Sequence, residues 1–217
     1  MTRLGLVFAV MAALGWAGSA SAQPSLVGPT GVIVVPSAET LGVLQWNVGA
    51  TGILVDEGEN ESLLYANVGL TRDLEIGVAR WKLQRRQAET TVNAKLRLLG
   101  PLPGEVSLAV GALDLTDQLE RSGYVVLSHV VGAGILLRRG RVVSPQVHVG
   151  IGGGRYDGLF AGFSAVVDGE VEVMGDWDGD QVNVGIRWPL ASNLEASVAA
   201  LNNLDDLAVG LSFSSPW

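Results

Sequence analysis

The chain has 217 residues, of which 48% are hydrophobic and 17% are charged, so it is too apolar for a disordered protein and has the length of one domain. The 29 glycines follow no three-residue period, which excludes collagen, and the lack of cysteine excludes disulfides and zinc-thiolate sites. A net charge of −8 without a basic stripe argues against nucleic acid as a partner.

Residues 1–22 have the pattern of a secretory signal peptide. Arg3 precedes an apolar stretch that runs to Gly18, and small residues lead up to Ala22. This arrangement predicts export of the protein and cleavage after Ala22. A retained membrane anchor is the alternative, but the apolar stretch is short and no stop-transfer pattern follows it.

From Gly42 onward, apolar residues alternate with small or polar ones in about twelve segments. A period of two indicates β-strands, because successive side chains of a strand point to opposite faces. Asp168-Gly169 and Asp178-Gly179 separate such segments and favour tight antiparallel turns. The sequence therefore predicts an antiparallel meander. A nearly complete alternation sets Val92, Ala94, Leu96 and Leu98 against Thr91, Asn93, Lys95 and Arg97.

The apolar strand face can meet either the core of a soluble protein or the lipid of a membrane. Three features favour lipid: the other face is small and polar, the strand number is even, and large aromatic residues fall near strand ends, where interfacial girdles form. We therefore predict an all-β protein, a closed antiparallel up-and-down transmembrane β-barrel of about twelve strands, with a soluble secreted β-protein as the alternative. The predicted girdle comprises Trp46, Trp81, Tyr124, Tyr156, Trp177, Trp188 and Phe213.

The predicted organisation has three parts. Residues 1–22 form the signal peptide, residues 23–42 form an N-terminal periplasmic or plug-like segment, and residues 43–217 form the barrel in the bacterial outer membrane. One connection, at residues 132–145, is long although it should face the periplasm, where such connections are short. It carries Arg138, Arg139 and Arg141, and either an interfacial lid or an extra hairpin would explain it.

Polar and charged residues on the second strand face are expected to point into the lumen. Charges there either line a water path or pair with one another. Eight strands are filled by side chains and sixteen leave an aqueous channel, so twelve strands allow a narrow pore and exclude a wide one. The predicted lumen-facing residues are Glu75, Asn93, Lys95, Arg97, His148, Glu172, Asp176, Asn183, Arg187 and Glu195.

Ser128, His129 and His148 suggest a test for serine hydrolase chemistry, since some outer-membrane barrels act on lipids. The sequence has no nucleophile elbow and no defined third member of a triad. Ordinary lumen or rim histidines are therefore the favoured interpretation, and we expect no catalytic residue.

Asp176, Asp178 and Asp180 alternate as in part of a calcium loop, but the bidentate glutamate and the rest of that loop are missing. A solvated hairpin tip is the favoured interpretation, so we expect no metal and no cofactor. Divalent cations would bridge the acidic outer rim to lipopolysaccharide, and outer-membrane lipid and lipopolysaccharide are the expected partners. The same rim contains Asp56, Glu57, Glu59 and Glu61.

Three short motifs, GPTGVIVVPSA at residues 28–38, NVGLTRDLEIG at residues 67–77 and LAVGALD at residues 108–114, point to a known group of proteins. Together they resemble the YjbH-like outer-membrane β-barrel family. The resemblance implies an outer-membrane barrel associated with exopolysaccharide production, with polysaccharide-export components as candidate partners, and it supplies no catalytic residues. Because members of that family are typically much longer, the resemblance supports the fold more than the role.

The leading hypothesis is a non-enzymatic outer-membrane barrel, accessory to exopolysaccharide export or to envelope structure. A narrow, porin-like channel for small solutes and a lipid-acting hydrolase of the outer membrane are the alternatives. Each differs from the first in a measurable activity, which is ion conductance for the channel and fatty-acid release for the hydrolase.

Overall fold

The structure is a computed structural model that describes residues 22–56, 58–84, 87–100, 106–131, 134–136, 142–156 and 158–215. The predicted signal peptide, except Ala22, lies outside these residues. No helix within the described part of the chain is long and apolar enough to cross a membrane. The strands are β1 (Trp46–Leu54), β2 (Glu61–Gly69), β3 (Leu74–Lys82), β4 (Glu89–Leu99), β5 (Val106–Leu113), β6 (Ser122–Val130), β7 (Ile135–Leu136), β8 (Val142–Gly152), β9 (Gly158–Val167), β10 (Val171–Trp177), β11 (Val182–Ala191), β12 (Leu194–Leu201) and β13 (Asp206–Ser214).

Twelve of these strands form a closed antiparallel barrel. Each pairs with its neighbours in sequence, β1 also pairs with β13, and β6 pairs with β8, which completes the ring. The prediction of a closed all-β barrel with twelve strands is therefore confirmed. The short strand β7 pairs only with Val142 and Val143 of β8, so the connection between β6 and β8 contains an extra hairpin. Arg138, Arg139 and Arg141 of that connection lie outside the described residues.

The apolar side of the strands faces outward. In β13, Leu207, Val209 and Leu211 are each more than 40% exposed, whereas the alternate residues Ala208 and Ser212 are buried. A soluble sandwich would bury the apolar side against a second sheet, because exposing it to water is unfavourable. The outward position of these side chains is what a lipid-facing barrel requires.

The two ends of the barrel differ in their connections. We call the end that contains Trp46 and Ser214 the turn end, where the described connections 70–73, 168–170 and 192–193 contain at most four residues. At the opposite end, the loop end, the connection at 114–121 reaches eight residues. Apart from the longer connection between β6 and β8, which also lies at the turn end, this asymmetry matches outer-membrane barrels, which have short periplasmic turns and longer external loops.

Residues 23–42 fold inside the barrel, and we call this segment the plug. Ile33, Val35 and Leu41 are fully buried, although the plug contains no strand of the barrel. Ile33 and Val35 belong to one hydrophobic cluster with inward-facing residues of the wall, so the core of the protein lies between plug and wall. The lumen is therefore filled over much of its length, as expected for a barrel of this size.

The plugged lumen as the candidate functional site

The hydrogen bonds between backbone groups of the plug stay inside the segment. Two isolated β-bridges join Pro24 to Thr30 and Gly31 to Pro36. The backbone-to-backbone hydrogen bonds described for residues 23–41 all connect two members of the segment. A Cβ atom on Gly31 would lie 2.5 Å from the carbonyl oxygen of Val35, so this tight fold requires glycine at that position.

Glu75 of β3 holds the plug through one buried carboxylate. Its Oε1 accepts a hydrogen bond from the Thr30 backbone N–H at 3.1 Å, and its Oε2 accepts one from the Leu41 N–H at 3.0 Å. The Thr30 hydroxyl also donates to Oε2 at 3.0 Å. Because Thr30 and Leu41 lie eleven residues apart, this one carboxylate fixes a large part of the plug.

Lys95 of β4 lies directly opposite Glu75 in the β3–β4 pair and binds the same part of the plug. Its ammonium group is within hydrogen-bond distance of the carbonyl oxygens of Thr30 (2.6 Å), Glu39 (2.9 Å) and Ser37 (3.2 Å), and it also donates to the Thr30 hydroxyl. The side chain is fully buried. A charge in such a place is tolerated only when hydrogen bonds replace its lost hydration.

Asp176 of β10 binds three successive backbone N–H groups of the plug. Its Oδ2 accepts hydrogen bonds from Ile33 at 3.0 Å, Val34 at 2.8 Å and Val35 at 3.1 Å. The other oxygen, Oδ1, accepts a hydrogen bond from Asn183 Nδ2 at 2.9 Å. The three N–H groups form an anion-binding concavity, and the wall supplies the anion.

Arg187 of β11 also binds the plug, with a positive charge where Asp176 has a negative one. Its guanidinium forms an ion pair of 2.7 Å with Glu172 on β10. It also donates hydrogen bonds to the carbonyl oxygens of Pro24 at 2.8 Å and Val32 at 3.0 Å. Both partners of the ion pair point into the lumen, where the structure brings them together as neighbours.

Ser128 and His148 do form a hydrogen-bonded pair, with 2.7 Å between Ser128 Oγ and His148 Nδ1. The Ser128 oxygen also accepts a hydrogen bond from the Ala38 N–H of the plug at 2.8 Å. Both side chains are buried beneath the plug, so neither can reach a lipid outside the barrel. His129 is next to Ser128 in β6 and therefore belongs to the opposite, outward face of the strand. The pair thus serves to hold the plug.

The remaining predicted lumen residues lie at the two ends of the barrel. Arg97 binds Asp73 at 2.9 Å at the turn end, and the Asn93 side chain accepts a hydrogen bond from the Asp114 N–H at the loop end. Asn183 serves the plug indirectly through Asp176. Glu195 is half-buried, and its Oε2 has no hydrogen-bond partner among the described residues.

The predicted aromatic girdle is wrong for three residues. Trp46, Trp177 and Phe213 are about 40% exposed on the outside, and Trp188 is half-buried on the outward side of its strand. In contrast, Trp81, Tyr124 and Tyr156 lie inside the barrel and belong to its core.

Strand parity explains the error. Trp81 shares the inward side of β3 with Glu75, and Tyr124 shares that of β6 with Ser128. Tyr156 comes from the connection between β8 and β9 and turns inward, where its hydroxyl donates to the Val34 carbonyl oxygen at 3.3 Å. Position near a strand end is thus common to girdle residues and to residues that close a lumen, and only parity separates them.

The plug contacts of Thr30, Ser128 and Asn67 are not evident from the sequence. Asn67 Nδ2 donates to the Gly28 carbonyl oxygen at 2.8 Å, and Asn67 lies on the inward side of β2. Parity would have placed Asn67 and Ser128 in the lumen, but no local signal reveals that a plug would be their partner.

An open cavity of about 410 Å³ remains at the loop end, above the plug. Leu26, Val27 and Val34 of the plug form part of its lining, together with Trp81 and Arg155. We call this cavity the cup. Within the described residues, no three His, Asp or Glu side chains are grouped as ligands for a metal ion.

The sequence matches no known family and no curated protein. Among solved structures, the chain is similar to the KdgM porin, with a TM-score of 0.57 and 9% identity over 78% of this chain and 99% of that chain. The KdgM porin in complex with disordered oligogalacturonate gives a TM-score of 0.55 with the same identity and coverage. This chain has the fold of an outer-membrane barrel. At such low identity, the likeness concerns the fold alone.

Proposed function

We propose that the protein is a non-enzymatic barrel of the bacterial outer membrane, and that it acts as a narrow small-solute channel closed at rest by its own plug. The apolar outer surface, the outward aromatic residues and the short connections at the turn end support a place in that membrane with the turn end toward the periplasm. Release of the plug would open the path for solutes.

The construction of the plug carries this proposal. Its backbone bonds are internal, and the wall holds it through side chains such as Glu75, Lys95 and Asp176. The plug can therefore leave without breaking a backbone bond between strands of the barrel. The wall exposed by its departure presents these charged groups and other polar side chains, which water can hydrate, beside the apolar side chains that pack against the plug. Further inward-facing polar residues are Asn47, Thr51, Thr91, Ser107, Ser164, Ser197 and Ser212.

The charges of the wall favour small solutes over acidic chains. Among the described residues of the strands, the cations Lys95, Arg97 and Arg187 point into the lumen. The acidic residues on the same strand faces are Glu75, Glu172, Asp176 and Glu195. These acidic residues outnumber the cationic ones, so the lumen has no excess of positive charge. Because a charged cleft concentrates ions of the opposite sign, this lumen does not favour polyanions. Although one structural neighbour is a porin in complex with oligogalacturonate, an anionic oligosaccharide, we propose a different cargo here.

The direct test compares the mature protein with a variant that lacks residues 23–41, each refolded in detergent and inserted into planar lipid bilayers. We expect the mature protein to stay mostly silent and the deletion variant to show discrete conductance. Circular dichroism and heat-modifiable gel migration would show that both barrels are folded. A folded deletion variant that conducts no current in concentrated salt would refute the channel.

A reversible lock tests plug movement without deletion. A Cβ on Gly162 of β9 would lie 3.0 Å from a methyl group of Val35, and the chain has no native cysteine, so Val35→Cys with Gly162→Cys gives one defined pair. In a background that weakens plug binding, such as Asp176→Asn, we expect oxidation to abolish conductance and reduction to restore it. Each single-cysteine variant is the control, and currents unaffected by oxidation would contradict plug movement.

The YjbH-like resemblance gives a second proposal, an accessory role in exopolysaccharide production. Its first two motifs, residues 28–38 and 67–77, contact each other here, because Asn67 binds Gly28 and Glu75 binds Thr30. On this proposal, the first motif forms part of the plug, and the second motif supplies wall residues that bind it. In a native host, loss of secreted polysaccharide after gene deletion, restored by the wild type but not by Glu75→Gln, would support this role. Unchanged polysaccharide in the deletion strain would exclude it.

A further inference from the structure

The cup at the loop end is a candidate binding site that does not depend on opening of the plug. Its volume of about 410 Å³ falls within the range of about 300 to 1,000 Å³ of ligand pockets. The plug residues Leu26 and Val27 contribute apolar surface to it, and Leu201 of β12 adds to that surface from the wall. A ligand in the cup would therefore meet an apolar patch.

One side of the cup is cationic. Arg155 comes from the connection between β8 and β9, and its guanidinium carbon lies 5.6 Å from the centre of the Trp81 ring on β3. Strands β4, β5 and β6 stand between these two elements in the wall, so the Arg155–Trp81 contact crosses the interior of the barrel. No carboxylate among the described residues forms an ion pair with Arg155. A guanidinium stacked on a ring keeps N–H donors at its edge for an anion.

Three carboxylates also line the cup. Asp178 follows β10 and Asp206 begins β13, whereas Glu61 begins β2, next to the strand that carries Trp81. Both oxygens of Asp206 are engaged, one by the Asp56 N–H and the other by Asn202 Nδ2. In Asp178, Oδ1 accepts the N–H groups of its own turn, whereas Oδ2 has no partner among the described residues. Asp178 thus has a carboxylate oxygen available to a cation, and it follows β10, which stands opposite the strand of Trp81 in the ring.

We propose that the cup binds a small zwitterion with an apolar side chain, namely an α-amino acid such as leucine or a short apolar peptide. The ligand carboxylate binds Arg155, its ammonium group binds Asp178, and its apolar side chain packs on Leu26 and Val27. This assignment gives a partner to Arg155 and to the Asp178 oxygen, neither of which has an ionic partner among the described residues, and it covers the apolar patch. No single-charged ligand does so.

Two other ligand classes fit less well. A sugar ring normally stacks on an open aromatic face, but Arg155 covers one face of Trp81, and Trp81 is only 8% exposed. A polyanion in the cup would be attracted by one guanidinium but repelled by the carboxylates of Asp178, Asp206 and Glu61. Repulsion would therefore outweigh attraction.

Calorimetric titration of the detergent-folded mature protein tests the proposal with chemically matched probes. We expect saturable binding of L-leucine and of leucyl-leucine. Leucinamide lacks the carboxylate and N-acetyl-leucine lacks the ammonium group, so each should bind roughly tenfold more weakly or not at all. Binding of glucose in place of leucine, or no binding of either leucine probe at millimolar concentration, would overturn the proposal.

Two variants assign the contacts. Arg155→Gln should weaken leucine binding roughly tenfold. It should leave leucinamide binding unchanged, because leucinamide has no carboxylate that could bind Arg155. Asp178→Asn keeps an oxygen that can accept the N–H groups of the turn. It should weaken the binding of leucine more than the binding of N-acetyl-leucine. Arg121→Gln and Asp117→Asn are matched controls, because this exposed ion pair lies in another connection at the same end. Equal effects of Arg155→Gln and Arg121→Gln would contradict the site.

Discussion

The plugged part of the lumen and the cup above it contain the same kinds of charged residues in opposite situations. In the plugged part, Lys95 and Asp176 are buried and bind plug backbone atoms. In the cup, Arg155 has no ion-pair partner and Asp178 keeps one free oxygen among the described residues. The comparison shows that charge in a barrel lumen does not by itself indicate a solute path. Its role depends on whether the chain already supplies the partner.

The largest effect is expected for Lys95→Met. The variant removes the ammonium group, so the Ser37 carbonyl oxygen loses its described donor. The carbonyl oxygens of Thr30 and Glu39 each lose one donor and keep another, the Ser37 N–H and the Thr30 hydroxyl respectively. We expect the free energy of unfolding to fall by about 3 to 5 kcal/mol, as measured by guanidinium titration in detergent. Lys82→Met is the control, because Lys82 points outward from β3. Similar stabilities of the two variants would show that the plug does not depend on Lys95.

A smaller effect is expected for Asp176→Asn. The neutral amide oxygen can still accept hydrogen bonds from Ile33, Val34 and Val35, but the charge that strengthens those bonds is gone. We expect a loss of about 2 kcal/mol in unfolding free energy and more frequent channel openings in bilayers. Asp180→Asn, at an exposed position of the β10–β11 connection, should change neither quantity. An equal number of openings in wild type and Asp176→Asn would count against the plug as the gate.

The smallest effect concerns Asp114, which lies outside both regions, at the loop end. Burial acts to raise the pKa of its carboxyl group, but hydrogen bonds from the N–H groups of Leu119, Gln118 and Glu120 and from the Thr116 hydroxyl together hold that pKa below its usual value. The folded state therefore binds the proton less readily than the unfolded state.

It follows that Asp114 stabilises the fold above the pKa of the unfolded chain, and that this contribution is lost as the pH falls through the folded pKa. Asp114→Asn should flatten the acid side of the stability–pH curve, measured by thermal unfolding between neutral pH and about pH 3. Asp205→Asn, in an exposed connection at the same end, provides the baseline. An unchanged curve for Asp114→Asn would show that these hydrogen bonds add nothing to stability.

Sequence patterns predicted the wall of this barrel better than its interior. Alternation placed Val92 and Leu96 on the opposite side from Asn93 and Lys95, and the structure has the same arrangement. The interior errors at Trp81 and Tyr124 came from using position along the strand where parity decides, whereas Tyr156 lies in the β8–β9 connection, where parity does not apply. Parity is local, because it follows from the geometry of two successive residues.

The amino-acid sequence by itself determined the strands, their number and the side that faces outward, since each depends on neighbouring residues and on the two-residue period of a strand. The sequence left residues 23–42 as either a periplasmic or a plug-like segment. Only the tertiary structure decided that they occupy the lumen and that Asp176 binds Ile33, 143 positions away in the chain. Such contacts arise when the barrel closes and brings distant strands around one axis. No local pattern records which groups will then meet, and so the partners of the buried charges could not be derived from the sequence.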